Sequence, residues 1–230
     1  MAQYYRYDSG GGSFLNSVPP VTLNLIIVNV IVFIATLINQ NFMVGTFALY
    51  FPGDPQYYTN PPMFRWWQIV THMFMHGGIW HIFFNMYTLL VFGMVLERTL
   101  GSRKFLILYF VAGFGAVALH LGVEYLQAQH LLAAGNLKAY DELILTPTLG
   151  ASGAVYGVLI GFAMLFPNAV LTLIFPPIPL KAKWWVLIFV AIEMFTGVTG
   201  TAEGVAHFAH LGGMLSGFLL ILYWKRSGRL

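Results

Sequence analysis

The sequence predicts an all-α membrane protein, six spanning helices in one domain. Three observations carry that reading: the composition is 58% hydrophobic and only 8% charged, the apolar residues fall into six long runs, and the basic residues gather on one side of those runs. An ordinary soluble domain carries roughly 25% charged residues. A bilayer core about 30 Å thick takes roughly 20 apolar residues per helix, and a helix satisfies its own backbone groups where water is absent.

The elements follow in order. Residues 1–21 are polar and Gly-rich, with "SGGGS" reading as a flexible tail, and no short apolar core that would mark a cleavable leader precedes the first span. The spans are expected at about 22–40, 79–97, 104–125, 151–174, 184–199 and 206–224, followed by a basic tail at 225–230. Their length separates them from membrane strands, which need only ~10 residues and alternate faces. Between the first two spans, 43–66 mixes Pro and Gly with aromatics that suit the bilayer interface. Residues 127–148 read as a solvated loop, 175–185 as a Pro-stiffened loop, and 196–204 as a short Gly-rich loop able to move.

Orientation follows from the cations. With the N-terminus inside, Arg6, Arg98, Arg103, Lys104, Lys181, Lys183, Lys225, Arg226 and Arg229 are inner and only Arg65 and Lys138 are outer. Both termini are therefore expected in the cytoplasm. The basic pI near 9.1 reflects this topology rather than a nucleic-acid partner. With no Cys, disulfides, thiolate catalysis and Cys-ligated metals are excluded.

Polar residues inside spans are costly and mark sites. His81 and Asn85 are four apart and share a helix face. Gly153, Gly157 and Gly161 in the fourth span, and Gly213 and Gly217 in the sixth, form two ridges of small residues that can pack backbone to backbone. That contact brings Ser152, at the start of one helix, toward His210, near the start of the other. A serine hydroxyl is a weak nucleophile until a neighbouring base takes its proton, and a helix N-terminus favours developing negative charge. Ser152 and His210 are thus the candidate catalytic residues, with the Ser152 N–H, His81 and Asn85 as candidate oxyanion donors.

Competing readings of the same residues are plain. A Ser among glycines in a membrane can serve packing alone, and Asn85 can simply join helices. His72, His76, His81, His207 and His210 can be imagined as metal ligands, yet no H-E-x-x-H and no carboxylate at ligand spacing occurs among them, so no metal and no cofactor is expected. A His-lined transporter would show half-to-half symmetry, which is missing. His120 and His130 read as packing or interfacial residues and Glu97 as a capping or paired residue, while Glu193 and His207 have no assigned role.

Together these motifs resemble the rhomboid intramembrane serine proteases. "HGGIWHIFFNM" is similar to the second-span pattern of that family, carried by His76, His81 and Asn85; "LGASGAVYG" resembles its G-x-S-G motif, with Gly150, Ser152, Gly153 and Tyr156; "AHLGGMLSG" resembles its sixth-span motif and selects His210 over His207. "LERTLGSRKF", which contains Glu97, is also family-like, and the resemblance runs from about 64 to 224. It implies a six-helix rhomboid-like bundle holding a Ser–His dyad without an acidic member. Gly150, Gly153, Tyr156 and His76 support the site. The implied partners are transmembrane protein substrates and the lipid bilayer. A multi-pass protein of the bacterial plasma membrane is expected. The alternative within the resemblance is a catalytically silent, client-binding relative, which commonly lacks the Ser or His kept here. One departure is Trp67-Gln68, where the family often has Trp-Arg.

Overall fold

The computed structural model describes residues 17–56, 58, 61–172, 177–199 and 206–230. Its elements are α1 (Pro20–Ile38), α2 (Gln40–Phe47), α3 (Gln68–Thr71) with a 3₁₀ turn His72–Phe74, α4 (Ile79–Leu100), α5 (Ser102–Ala133), α6 (Leu137–Leu145), α7 (Ser152–Leu165), a hairpin of β1 (Val170–Thr172) and β2 (Pro179–Lys181), α8 (Ala182–Thr199) and α9 (Ala206–Arg226). Helices α1, α4, α5, α8 and α9 are long and apolar enough to cross a membrane. The all-α membrane bundle is therefore what the structure contains.

The remaining candidate, the fourth in chain order, is the informative one. A span over 151–174 was expected, yet α7 has 14 residues, about 21 Å at 1.5 Å per residue, against a core of about 30 Å. It starts at Ser152 and ends beside the basic face of the bundle, where Lys225 Nζ donates to the Met164 carbonyl at 2.6 Å. A helix of that length covers only about two thirds of such a core. Past Leu165 the chain forms the hairpin instead of more helix, pairing Val170 with Lys181, Leu171 with Leu180 and Thr172 with Pro179. Residues 173–176, which join the end of the expected span 151–174 to the start of the expected Pro-stiffened loop, lie outside the described residues, as do 1–16 and the Gly200 to Gly204 stretch of the expected mobile loop.

Helix α7 is the centre of the bundle. Gly153, Ala154, Val155, Gly157, Val158, Gly161, Phe162 and Ala163 are buried, and the core around them takes Leu89 and Leu96 from α4, Phe105 and Leu108 from α5 and Ile221 from α9. The predicted glycine ridges meet: a Cβ on Gly213 would fall 1.9 Å from the Gly153 carbonyl oxygen, and one on Gly217 would fall 2.9 Å from Gly157 Cα. Ala112 and Ala116 of α5 press on the other side of Gly157 and Gly153. Only hydrogen at these positions allows the three helices to approach so closely.

Glu97 is buried and caps α1 from another helix. Its carboxylate accepts from the Val21 N–H (2.9 Å), the Thr22 N–H (2.7 Å), the Thr22 hydroxyl (2.8 Å) and the Ser102 hydroxyl (2.7 Å). These are among the amides a helix start leaves without internal partners.

The 127–148 segment is more ordered than a solvated loop. Helix α5 continues to Ala133, and α6 turns Tyr140 and Ile144 onto Phe51 and Ala128. Asp141 is fully buried and accepts from the Gln56 N–H (2.7 Å) and the Tyr58 N–H (2.9 Å). Lys138 and Glu142, on the other face of α6, are exposed.

Candidate active site

The loop before α7 is pinned from three directions. Leu49 and Thr148 exchange both backbone hydrogen bonds (2.9 and 2.8 Å), the Gly150 N–H donates to the His72 carbonyl at 3.0 Å, and Thr148 Oγ1 lies 2.7 Å from His120 Nε2. Gln68 knits the preceding segment: its Oε1 accepts from the Arg65 N–H at 3.0 Å and the Tyr50 N–H at 3.4 Å, while its Nε2 reaches the Met63 carbonyl at 3.3 Å. The Gln in place of the family's Arg is therefore a structural hub, and Arg65 lies instead over the Trp67 ring at 5.4 Å. Burial holds the His72 imidazole down at about 4 and the His76 imidazole down at about 3, so both are neutral.

Gly150 has φ +143, a conformation that side chains disfavour. A Cβ there would sit 2.9 Å from His81 Nε2 and 3.5 Å from Ser152 Oγ. The missing side chain therefore keeps open the space between that imidazole and that hydroxyl.

Ser152 Oγ lies 2.8 Å from His210 Nε2. The two helix starts meet as the small-residue ridges predicted. Tyr156, one turn after Ser152, stacks on the His210 ring with centroids 4.4 Å apart at 22°. A cavity of about 40 Å³ borders Ser152, His210, Gly150, His72, His120 and Thr148, room for two or three waters at roughly 15 Å³ each.

The predicted donors are placed less uniformly. His81 approaches Gly150 as described. Asn85 is buried and its Nδ2 donates to the His81 carbonyl at 2.9 Å, which leaves one of its two N–H groups for another acceptor. His76 lies edge-on to His81, with ring centroids 5.0 Å apart, and neither of its ring nitrogens has a hydrogen-bond partner among the described residues. Gly153 forms the α7 side of the close contact with Ala116 and Ala209. His130 is exposed and His120 is buried beside Glu124, at 3.4 Å.

Two residues without an assigned role sit at the centre. Glu193 of α8 places Oε1 2.9 Å from His210 Nδ1 and Oε2 2.5 Å from His207 Nδ1, and Tyr156 donates its phenol O–H to Oε1 at 2.6 Å. The resemblance implied a dyad with no acidic neighbour; here a carboxylate touches the imidazole. Sequence could show that a lone carboxylate inside a span needs partners, but not which helix supplies them.

The donor atoms of Glu193, His207 and His210 lie within 4.8 Å of one another, a His₂Glu set of the type that binds zinc. The carboxylate judged missing near the histidines thus arrives from α8. Its 2.5 and 2.9 Å separations are hydrogen-bond lengths, whereas ligands at about 2.0–2.1 Å around a tetrahedral zinc stand more than ~3.2 Å apart.

Residues 63–227 match the Rhomboid domain. The chain belongs to the rhomboid family. Its relatives include RHOMBOID-like protein 6, mitochondrial, of Arabidopsis thaliana, 32% identical over 166 residues that cover 70% of this chain and 46% of that protein. Rhomboid protease AarA of Providencia stuartii is 28% identical over 162 residues, 67% of this chain and 54% of that protein. Rhomboid protein 1, mitochondrial, of Saccharomyces cerevisiae is 32% identical over 160 residues, 69% and 42%. The chain spans between about a third and just over half of the length of such relatives. Family and fold together make this rhomboid an integral, multi-pass membrane protein.

Proposed function

We propose that this rhomboid is an intramembrane serine endopeptidase that cleaves membrane proteins in or near their transmembrane segments. The observation that carries the reading is the 2.8 Å approach of Ser152 Oγ to His210 Nε2, at the start of a helix too short to reach the outer bilayer surface. In acylation, Oγ bonds to the scissile carbonyl carbon while its proton passes to Nε2. The tetrahedral oxyanion is held by the Ser152 N–H, His81 and the free N–H of Asn85, and the C–N bond then breaks as Nε2 returns the proton to the leaving amine. A water in the cavity attacks the acyl ester, gives its proton to Nε2, and Oγ leaves to regain a proton.

Basic residues on the face opposite Ser152 support the cytoplasmic termini and an outward-opening site, in a bacterial plasma membrane. The proposed membrane domain is the expected 22–224, with the helix ends of α1 and α9 reaching to 20 and 226. A cavity of about 450 Å³ between α4 and α8, lined by Phe84, Tyr87, Trp185 and Phe189, supports entry from the lipid between those helices.

Reaction of the purified chain with a fluorophosphonate probe tests the assignment. The native chain labels, and Ser152→Ala and His210→Ala abolish labelling and cleavage of a single-span membrane substrate, while chelators leave both intact. Labelling that persists in either variant removes the assignment; a native chain that binds the substrate without cleaving it is a silent client binder.

A further inference from the structure

Glu193 lies within a span, where a carboxylate is costly unless it is paired or used. Its oxygens face three donors on two other helices: Tyr156 O–H on α7, and His207 Nδ1 and His210 Nδ1 on α9. We infer that Glu193 is a positioning residue of the catalytic centre, which works as a Ser152–His210–Glu193 triad rather than as a dyad. This inference rests on the serine-protease reading above.

Proton accounting leads to it. An ionised carboxylate only accepts, so the 2.9 Å bond from Glu193 Oε1 fixes a proton on His210 Nδ1. Nε2 then presents its lone pair to the Ser152 hydroxyl, the tautomer that general-base catalysis requires. When Nε2 takes the serine proton, a positive imidazolium forms in a water-poor, low-dielectric interior. Glu193 supplies the compensating charge at the opposite edge of the ring. Tyr156 fixes the ring plane by stacking and donates to the same Oε1, so face and edge of the imidazole are held by one connected group. A residue needed only to fill space between α8 and α9 would be apolar.

The reading has a structural corollary. Glu193 rides on α8, whereas Ser152 and His210 sit on the tightly joined α7 and α9. Completion of the triad therefore depends on how α8 is seated.

The test uses the full chain and fluorophosphonate inactivation kinetics. In E193Q the maximal inactivation rate falls about 10²-fold or more with the apparent probe affinity unchanged, and E193D recovers at least tenfold of that loss. H207Q, which removes another bond to the same carboxylate and leaves the Glu193–His210 bond in place, serves as the packing control and stays within about tenfold of the native rate. Should E193Q fail to fold, ¹⁵N-histidine spectra of the native chain, assigned by difference from His210→Ala, decide the matter. An Nδ1–H tautomer at His210 agrees with the triad, and an Nε2–H tautomer overturns it. E193Q reacting at the native rate, or E193D no faster than E193Q, overturns it as well and leaves Ser152 and His210 standing. A native chain that does not label removes the serine reading itself.

Discussion

Helices α7 and α8 both contact α9, by opposite means. Between α7 and α9 the joint is made of missing atoms: Gly153, Gly157, Gly213 and Gly217 bring backbones into contact. Between α8 and α9 the link runs through side chains, with Glu193 bound to His207 and His210 and Thr196 Oγ1 3.1 Å from His207 Nδ1. The outward side of α8 is bare, with Ile192, Phe195 and Val198 at 51%, 66% and 79% exposure. Close backbone packing admits few alternative arrangements, whereas a helix held by hydrogen bonds to a carboxylate can exchange those bonds. On the proposed function, the difference assigns two tasks: one interface fixes the nucleophile and base, and the other can yield to a substrate.

The comparison breaks first at Gly213. A side chain 1.9 Å from the Gly153 oxygen forces the backbones apart, so G213V should lose the folded bundle in detergent, a cost beyond the roughly 1–3 kcal/mol of ordinary overpacking. Monodisperse, thermally cooperative G213V would show that the ridge is not tight. Gly150→Ala comes next: a Cβ 2.9 Å from His81 Nε2 fills the gap beside Ser152, and the cleavage rate should drop about 10²-fold while most of the melting temperature is kept.

Acid gives a smaller effect, at the fixed end of the molecule. His72 is held at about 4, below its ordinary 6.5. A depressed imidazole contributes stability that is fully present above about 6.5 and is lost as pH falls toward 4. Thermal unfolding in detergent should drop by a few degrees over that window, with a shallower slope in His72→Gln. Least affected is the bare face of α8. Phe195→Ala removes a side chain that meets lipid or detergent in every state, and stability should change by no more than about 0.5 kcal/mol. A large change would mean that α8 is held by more than its polar bonds.

Much of this was legible in sequence because small residues report contact directly. Glycines four apart in two spans have one economical use, and the meeting of Ser152 with His210 follows from it. The end of α7 was legible in Pro167 and Asn168, just past Leu165, but the apolar residues that resume at Ala169 carried the expected span through them. Glu193 was visible only as an anomaly, since its partners lie 14 and 17 residues ahead and 37 behind, on other helices whose rotation no periodicity in continuous apolar sequence defines. His81 and Asn85 were readable as sharing a face, but the bond from Asn85 to the His81 carbonyl depends on a rotamer.

The capping of α1 by Glu97 carries a consequence for biogenesis. The first span emerges from the ribosome some 75 residues before the carboxylate that finishes its leading end. Until α4 has entered the bilayer, the amides of Val21 and Thr22 depend on water or lipid headgroups, so the nascent anchor can still tilt and slide along the membrane normal. The carboxylate bonds to Val21 and Thr22 can form only once Glu97 has been made and α4 lies beside α1.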